Sequence, residues 1–430
     1  ALTAAFITSP LTPLALVAAV LMGIVALITL PREEEPQISV PMVDIHLRAD
    51  GLSAEDAVKL VTEPLETIVK SIPGVEHVYS QTHDDGALVT ARFEVGTSSD
   101  AAIVRVHEKV RANIDRIPTG IPGPLIVGRG IDDVAIKVLT IAPKPEASAR
   151  WRPAALTRLA HVVQVAVSAL PDIGLTYIVG ETPEEIRIRP DPERLAQAGL
   201  TLQALAAKVE GANRSFSVGL VREDGRQIGL TAGKTLADLT EIGNLLVTTR
   251  DGRPVYVRDV ADVTLATDTA QARVFQMDRA AAGFSRVPAV SLAIAKRPGA
   301  NAVTIGEEIG HALERLEASI IPEDLTVHVT RDYGETANEK ANELLFHLGL
   351  ATLSIVALVW VAIGWREALV VLVVIPVTIL LTLFAARVMG YTLNRVSLCA
   401  LIFSIGILVD DAIVVIENIA RHWGMHDGRS

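Results

Sequence analysis

Residues 396–416 read VSLCALIFSIGILVDDAIVVI, an apolar run whose only charged residues are the adjacent aspartates Asp410 and Asp411. A helix needs about 20 apolar residues to cross a bilayer, so this run is long enough to span one. Each carboxylate costs about 2.5–3.5 kcal/mol there on insertion scales, and two neighbouring acids cannot both ionise cheaply where the dielectric constant is low. We therefore interpret the pair as a proton site within a membrane.

Charge is segregated along the rest of the chain. The 430 residues are 50% hydrophobic and 21% charged, with a mean hydropathy of +0.38. Residues 1–31 contain no Asp, Glu, Lys or Arg. In residues 344–394 the only residues of these four types are Arg366, Glu367 and Arg387. This pattern predicts one membrane span, a polar block of roughly 300 residues and then a cluster of spans.

The apolar runs predict four membrane spans. They cover residues 10–31, 340–364, 367–390 and 393–421. Because the number of spans is even, the N-terminal segment 1–9 and the tail 422–430 fall on one side of the membrane. The polar block then falls on the other side.

Strands and amphipathic helices alternate within the polar block. Ser53, and Ser98 or Ser99, precede helical apolar patterns and are predicted as N-caps. The corners Ile72-Pro73-Gly74 and Leu170-Pro171-Asp172 resemble each other, which indicates a repeated βαβ unit. The predicted fold class is an α-helical membrane bundle of four spans plus an α+β block of ferredoxin-like βαβ subdomains.

A long insertion, residues 184–273, interrupts the second βαβ unit. Residues 213–234 within it are polar, rich in glycine and weakly periodic. Long segments of this kind in compact domains are usually functional, so we predict an exposed arm here.

Several classes of function are excluded. The net charge of −11 comes with no basic stripe, so no nucleic-acid partner is expected. The single cysteine, Cys399, cannot form a disulfide framework. No catalytic arrangement of side chains stands out in the polar block, so we expect neither an enzyme nor a cofactor.

Two further motifs are weak. Residues 229–235 (GLTAGKT) resemble a phosphate-binding loop but have one residue too few between the glycines. His422 and His426 have a spacing that suits a metal on a helix, but Gly424 and the chain end make a stable helix there doubtful. We therefore assign no metal site.

A partner for the aspartates is missing from the apolar parts of the predicted spans, which contain no lysine, since the apolar part of the second span begins at Leu344, beyond Lys340. An intramembrane carboxylate usually pairs with a cation, so the counter-charge is expected from elsewhere. Glu417, about two helical turns further on, extends the predicted proton relay of Asp410 and Asp411 towards the membrane surface.

The motif around these aspartates resembles that of a known family. Residues 406–418 (GILVDDAIVVIEN) closely resemble the fourth-span signature of the resistance-nodulation-division (RND) proton-driven exporters of drugs and hydrophobic compounds. The first span with PREEEPQI, and Pro298-Gly299-Ala300-Asn301-Ala302, are similar to further elements of that family.

The resemblance implies a transporter rather than an enzyme, driven by the proton gradient with no cofactor. It implies a homotrimer in the bacterial inner membrane, with a periplasmic adaptor protein and an outer-membrane channel as partners. It also implies a first porter subdomain (39–130), a second (131–183 and 274–332) and a docking subdomain (184–273) whose arm at 213–234 reaches the next protomer.

The chain differs from the family in length, because members have about twelve spans and a second periplasmic block. We therefore expect this chain to be an N-terminal half: a fragment, a truncated product or one part of a split pump. The other half is expected to supply the lysine that pairs with the aspartates. Three alternatives stay open: a membrane-anchored scaffold subunit, a tethered enzyme, and a protein- or lipid-exporting relative within the same superfamily.

Overall fold

The computed structural model describes residues 9–34, 36, 40–223, 226–267, 273–280 and 283–424. In the last helix the side chains of several residues, Asp411 among them, lie outside that description. The chain divides into two compact units. The first unit comprises residues 1–141, 161–178 and 291–430, and the second comprises residues 142–160 and 179–290.

Helices and strands alternate between two long helical ends. The described helices are α1 (Leu11–Thr29), α2 (Ala54–Ala57), α3 (Glu63–Lys70), α4 (Ser99–Ala112), α5 (Pro153–Ser168), α6 (Pro192–Ala198), α7 (Leu202–Ala212), α8 (Leu239–Gly243), α9 (Val257–Val260), α10 (Ala302–Glu317), α11 (Tyr333–Ala362), α12 (Trp365–Val388) and α13 (Arg395–Gly424). The described strands are β1 (Met42–Arg48), β2 (Val75–His83), β3 (Gly86–Phe93), β4 (Leu125–Arg129), β5 (Lys137–Pro143), β6 (Ile173–Val179), β7 (Glu184–Pro190), β8 (Ser215–Glu223), β9 (Arg226–Gly233), β10 (Leu246–Arg250), β11 (Arg253–Tyr256), β12 (Ala261–Thr267), β13 (Val274–Ala280), β14 (Gly283–Lys296) and β15 (Leu325–Asp332).

Strands β1 to β4 form an antiparallel sheet in the order β2-β3-β1-β4. A π-helical turn, Val58–Thr62, joins α2 to α3. The hydroxyl of Ser53 accepts from the Asp56 amide, and that of Ser98 accepts from the Ala101 amide, so the N-caps predicted at these two serines are confirmed. The core of this module consists of alternate strand residues and the apolar faces of α3 and α4. Along the chain, the elements of this module occur in the order β-α-β-β-α-β.

A second sheet of the first unit places β14, β5 and β15 side by side in that order, with β6 paired to β14. Strand β5 and the second half of β14 are largely apolar and buried, and Lys137 in β5 and Lys296 at the end of β14 are buried with them. Helix α10 begins at Ala302 because the side chain of Asn301 accepts a hydrogen bond from the Val303 amide at 3.1 Å. Strands β5, β6 and β14 lie where the βαβ pattern predicts strands, with β14 longer than expected, whereas β15 is not predicted by that pattern.

The second unit has a small core of its own between β7, β12 and short helices. Strands β7 and β12 pair antiparallel, as do β10 and β11. The buried members of this core are Leu195, Leu205, Val247, Val257, Val260 and Ala261. Strand β13 pairs with the first half of β14, where Ala142, Val287 and Ala289 are buried.

The segment predicted as an arm contains an antiparallel hairpin of β8 and β9. Apolar side chains on it are largely exposed, including Phe216 (61%) and Leu220 (62%). Both glycines of the stretch that resembles a phosphate loop, Gly229 and Gly233, lie within strand β9 rather than in a loop. A phosphate-binding loop is therefore excluded at this position.

Within the described residues, three helices are long and apolar enough to cross a membrane. They are α1, α11 and α12. The fourth predicted span falls on α13, a helix of 30 residues with several side chains outside the description. The count of four spans therefore stays a prediction, as does the division into ferredoxin-like subdomains.

Helices α11 and α12 begin before the predicted second and third spans. Helix α11 begins at Tyr333 rather than 340, because Asp332 caps it through the Glu335 amide and its first turns are polar and helical. Hydropathy detects only the apolar part of such a helix. Helix α12 begins at Trp365 rather than 367, and it continues through Pro376.

Helices α1 and α12 pack closely at Gly23. A β-carbon at this position would collide with the Cβ of Leu380 on α12. Small residues at helix interfaces within membranes allow backbones to approach, and this contact depends on the missing side chain. Gly349 on α11, in contrast, has open space around the position of a β-carbon.

Replacing Gly23 by alanine is expected to destabilise the protein by about 1–3 kcal/mol, because the added carbon forces α1 and α12 apart. The melting temperature of the purified protein in detergent measures this loss. Gly349→Ala is the matched control, since it adds the same carbon to a spanning helix without a contact. Equal melting temperatures for the two variants would contradict the close packing.

Candidate functional site

The predicted proton-relay residues all lie on α13. Asp410 and Glu417 have exposed side chains, whereas the side chain of Asp411 lies outside the described residues. Asp410 is 15 residues beyond the first residue of α13, about 22 Å along the helix axis. Among the described side chains, none forms an ion pair with Asp410.

Helix α13 is fixed at its start by a reciprocal pair of hydrogen bonds. The Ser397 amide donates to the Asn394 side chain at 2.9 Å, and the Asn394 amide donates to the Ser397 hydroxyl at 2.9 Å. Such a pair satisfies amides that lack partners in the first turn. Leu398 and Ile413 then pack α13 against the core of the helical bundle. The position of Asp410 is therefore set by a capped and packed helix.

Residues 31–34, which follow α1, connect to this start of α13; we call them the junction segment. The Glu33 amide donates to the Leu393 carbonyl at 3.0 Å, and the Leu393 amide donates to the Pro31 carbonyl at 2.8 Å. The Arg395 amide donates to the Glu34 carbonyl at 3.4 Å. The junction segment and the residues before α13 are thus held together through their backbones.

The junction segment also contacts α11, through hydrogen bonds from Arg32. The guanidinium of Arg32 donates to the side-chain oxygens of Asn338 at 2.5 Å and Asn342 at 3.2 Å. These asparagines are four residues apart and lie on one face of the helix. Arg32 thereby ties the end of α1 to the polar first turns of α11.

A buried ion pair joins the junction segment to the sheet. The ammonium of Lys296 lies 2.7 Å from a carboxylate oxygen of Glu33, and the two side chains are only 8% and 4% exposed. Removing one partner of a buried pair leaves an uncompensated charge and costs about 3–5 kcal/mol. Each member of this pair therefore constrains the position of the other.

A second buried lysine lies on the neighbouring strand. Lys137 forms an ion pair with Asp332 at 2.8 Å and donates to the Gly306 carbonyl at 2.7 Å. Since Asp332 caps α11 and Gly306 belongs to α10, Lys137 fixes the starts of these two helices relative to each other. It does not contact the junction segment.

A cavity of about 270 Å³ lies beside the Glu33–Lys296 pair. Burial raises the pKa of the Asp132 carboxyl above its ordinary value of 3.8, and Lys296 lowers it in part. Asp133 and Glu33 add to the rise. The lining residues are Glu33, Glu34, Ile131, Asp132, Val134, Ile136, Lys296, Ala302, Arg331 and Tyr333.

The sequence interpretation identified the aspartates but not these buried charges. A signal was present, because Lys137 and Lys296 are cations in largely apolar, buried stretches of strand, and a buried cation requires a partner. Their partners, Asp332 and Glu33, are too far along the chain for a local pattern to reveal. Of the two histidines whose spacing would suit a metal, neither the His422 side chain nor any part of His426 falls within the described residues.

Comparison with protein families gives one full-length match. The model of the AcrB/AcrD/AcrF family matches residues 2–430, which include the first helix, both units and the aspartates.

The raised pKa of Asp132 predicts a pH-dependent loss of stability. The folded protein binds this proton more tightly than the unfolded chain, so stability falls as pH rises from about 3.8 through the folded-state value. Asp132→Asn removes this effect. The substitution is expected to raise the melting temperature at pH about 7, but not at a pH below the ordinary carboxyl pKa of 3.8.

Melting temperatures of parent and variant, measured across this pH range, test the expectation. Asp50→Asn removes an exposed carboxylate and controls for the loss of one charge. A difference between Asp132→Asn and the parent that stays constant with pH would contradict the assignment.

Proposed function

Because the chain belongs to the AcrB/AcrD/AcrF family of the RND superfamily, we propose that it is the inner-membrane subunit of a proton-driven efflux pump. Members of this family are transporters and not enzymes. The proposed cargo is hydrophobic or amphiphilic compounds, exported across the bacterial envelope by alternating access. The observation that carries the proposal is the Asp410-Asp411 pair within the apolar helix α13.

Protonation is the proposed driving step. A carboxylate within a membrane is costly, and binding a proton removes its charge. When Asp410 and Asp411 bind protons, their attraction to a counter-cation supplied by the rest of the assembly is lost, and α13 shifts. Release of the protons on the opposite side restores the first arrangement, and Glu417 extends the path in that direction.

The shift is proposed to open and close a substrate cleft in the extramembrane block. In a two-state protein a proton changes the populations of the states only if it binds one state more tightly. The contacts from α13 through the junction segment to the sheet support a link of this kind. The first sheet module and the second sheet are proposed as the two porter subdomains, each ferredoxin-like.

The proposed assembly is a homotrimer in the inner membrane with the block in the periplasm. The exposed apolar side chains of the β8–β9 hairpin support its role as an arm that a neighbouring protomer covers. A periplasmic adaptor and an outer-membrane channel are the further proposed partners.

Asp410→Asn and Asp411→Asn, each placed in the full assembly, are expected to abolish efflux, because asparagine fits the same space but cannot exchange a proton. Efflux of Nile red, a hydrophobic dye, from energised cells measures the loss. Amounts of folded protein and of trimer are expected to equal those of the parent.

Glu339→Gln removes an exposed carboxylate from α11 and serves as the control for charge. It is expected to export dye normally. Normal efflux by either aspartate variant would disprove the proposed mechanism.

A further inference from the structure

We propose that Lys296 is a positioning residue that connects the aspartate-bearing helix α13 to the sheet containing β14, through its ion pair with Glu33. The inference rests on the proposed function, because it concerns how a shift of α13 reaches the extramembrane block. Lys296 is proposed to act through Glu33 rather than by binding protons or cargo.

The first link is the backbone pairing before α13. Leu393 both donates to and accepts from the junction segment, at 2.8 and 3.0 Å. Asn394, the next residue, caps α13. A displacement of the start of α13 therefore carries Leu393 and Glu33 with it, unless these hydrogen bonds break.

The second link is the ion pair of Glu33 with Lys296. Both side chains are more than nine-tenths buried, so neither charge can separate from the other and become solvated without a large rearrangement. Glu33 lies in an irregular segment whose position is not fixed by a helix or strand. The charge contact holds this segment to the sheet.

The third link leads from Lys296 into the sheet. Lys296 is the last residue of β14. The next residue, Arg297, donates from its amide to the Asp172 carbonyl at 2.9 Å and from its side chain to the Ile173 carbonyl at 3.2 Å. Since Ile173 begins β6, the path reaches two neighbouring strands of the sheet.

Lys137 offers a matched comparison within the same sheet. It too is a buried lysine paired with a carboxylate, at 2.8 Å, but its partners belong to α10 and α11. Neutralising each pair removes the same kind of contact. Of these two pairs, only Glu33–Lys296 includes a residue of the junction segment.

The test measures how the sheet responds to Asp410→Asn in the full assembly, purified in detergent, by hydrogen–deuterium exchange of the Leu393 and Arg297 amides. In the parent background the substitution is expected to change exchange at both amides by about fivefold or more. In the Glu33→Gln/Lys296→Met background the change at Leu393 is expected to persist and the change at Arg297 to disappear.

Glu33→Gln accompanies Lys296→Met so that no uncompensated charge stays buried. The control background is Lys137→Met/Asp332→Asn, in which asparagine preserves the helix cap. There the response is expected at both amides, so a general loss of stability would not imitate the result.

Two outcomes would overturn the inference while leaving the proposed function intact: an undiminished response at Arg297 without the Glu33–Lys296 pair, or an equal loss in the control background. No response at Leu393 or Arg297 in the parent background would contradict the proposed shift of α13, and the inference with it.

Discussion

The ion pair between Glu33 and Lys296 is the contact on which the positions of the junction segment and the end of β14 relative to each other depend. It fixes an irregular segment that follows the first apolar helix, and the backbone of that segment holds the start of α13. Buried ion pairs add little net stability compared with apolar residues of similar size, but an unpaired member is strongly destabilising. The pair is therefore best understood as a constraint on position rather than as a source of stability.

An unpaired charge in apolar surroundings is costly, and this rule also applies to Asp410 and Asp411. Lys296 and Lys137 are buried charges, and each forms an ion pair with a carboxylate of this chain. The described side chains include no cation paired with Asp410. The carboxylate that has no ion-pair partner among the described side chains is the one proposed to exchange a proton. The paired lysines and the aspartates are thus proposed as complementary parts of one device.

Local sequence patterns predicted local structure well. The caps at Ser53 and Ser98, the β2–β3 hairpin module and the apolar helices α1, α11 and α12 all depend on residues close together in the chain. The start of α11 was missed because its first turns are polar and a hydropathy pattern does not report them. The junction contacts were missed because Glu33 and Lys296 are brought together only by the packing of separate elements. A lone lysine in an apolar strand predicts that a partner exists but not which residue it is.

We propose that Asp410 exchanges a proton within the membrane. Infrared difference spectroscopy of the protein in lipid bilayers measures this exchange. A protonated carboxyl group has a carbonyl stretching band that an ionised carboxylate lacks. The account predicts a band that is present at low pH, disappears as the pH is raised, and is absent from Asp410→Asn at every pH. A spectrum that Asp410→Asn leaves unchanged throughout the titration would contradict the claim.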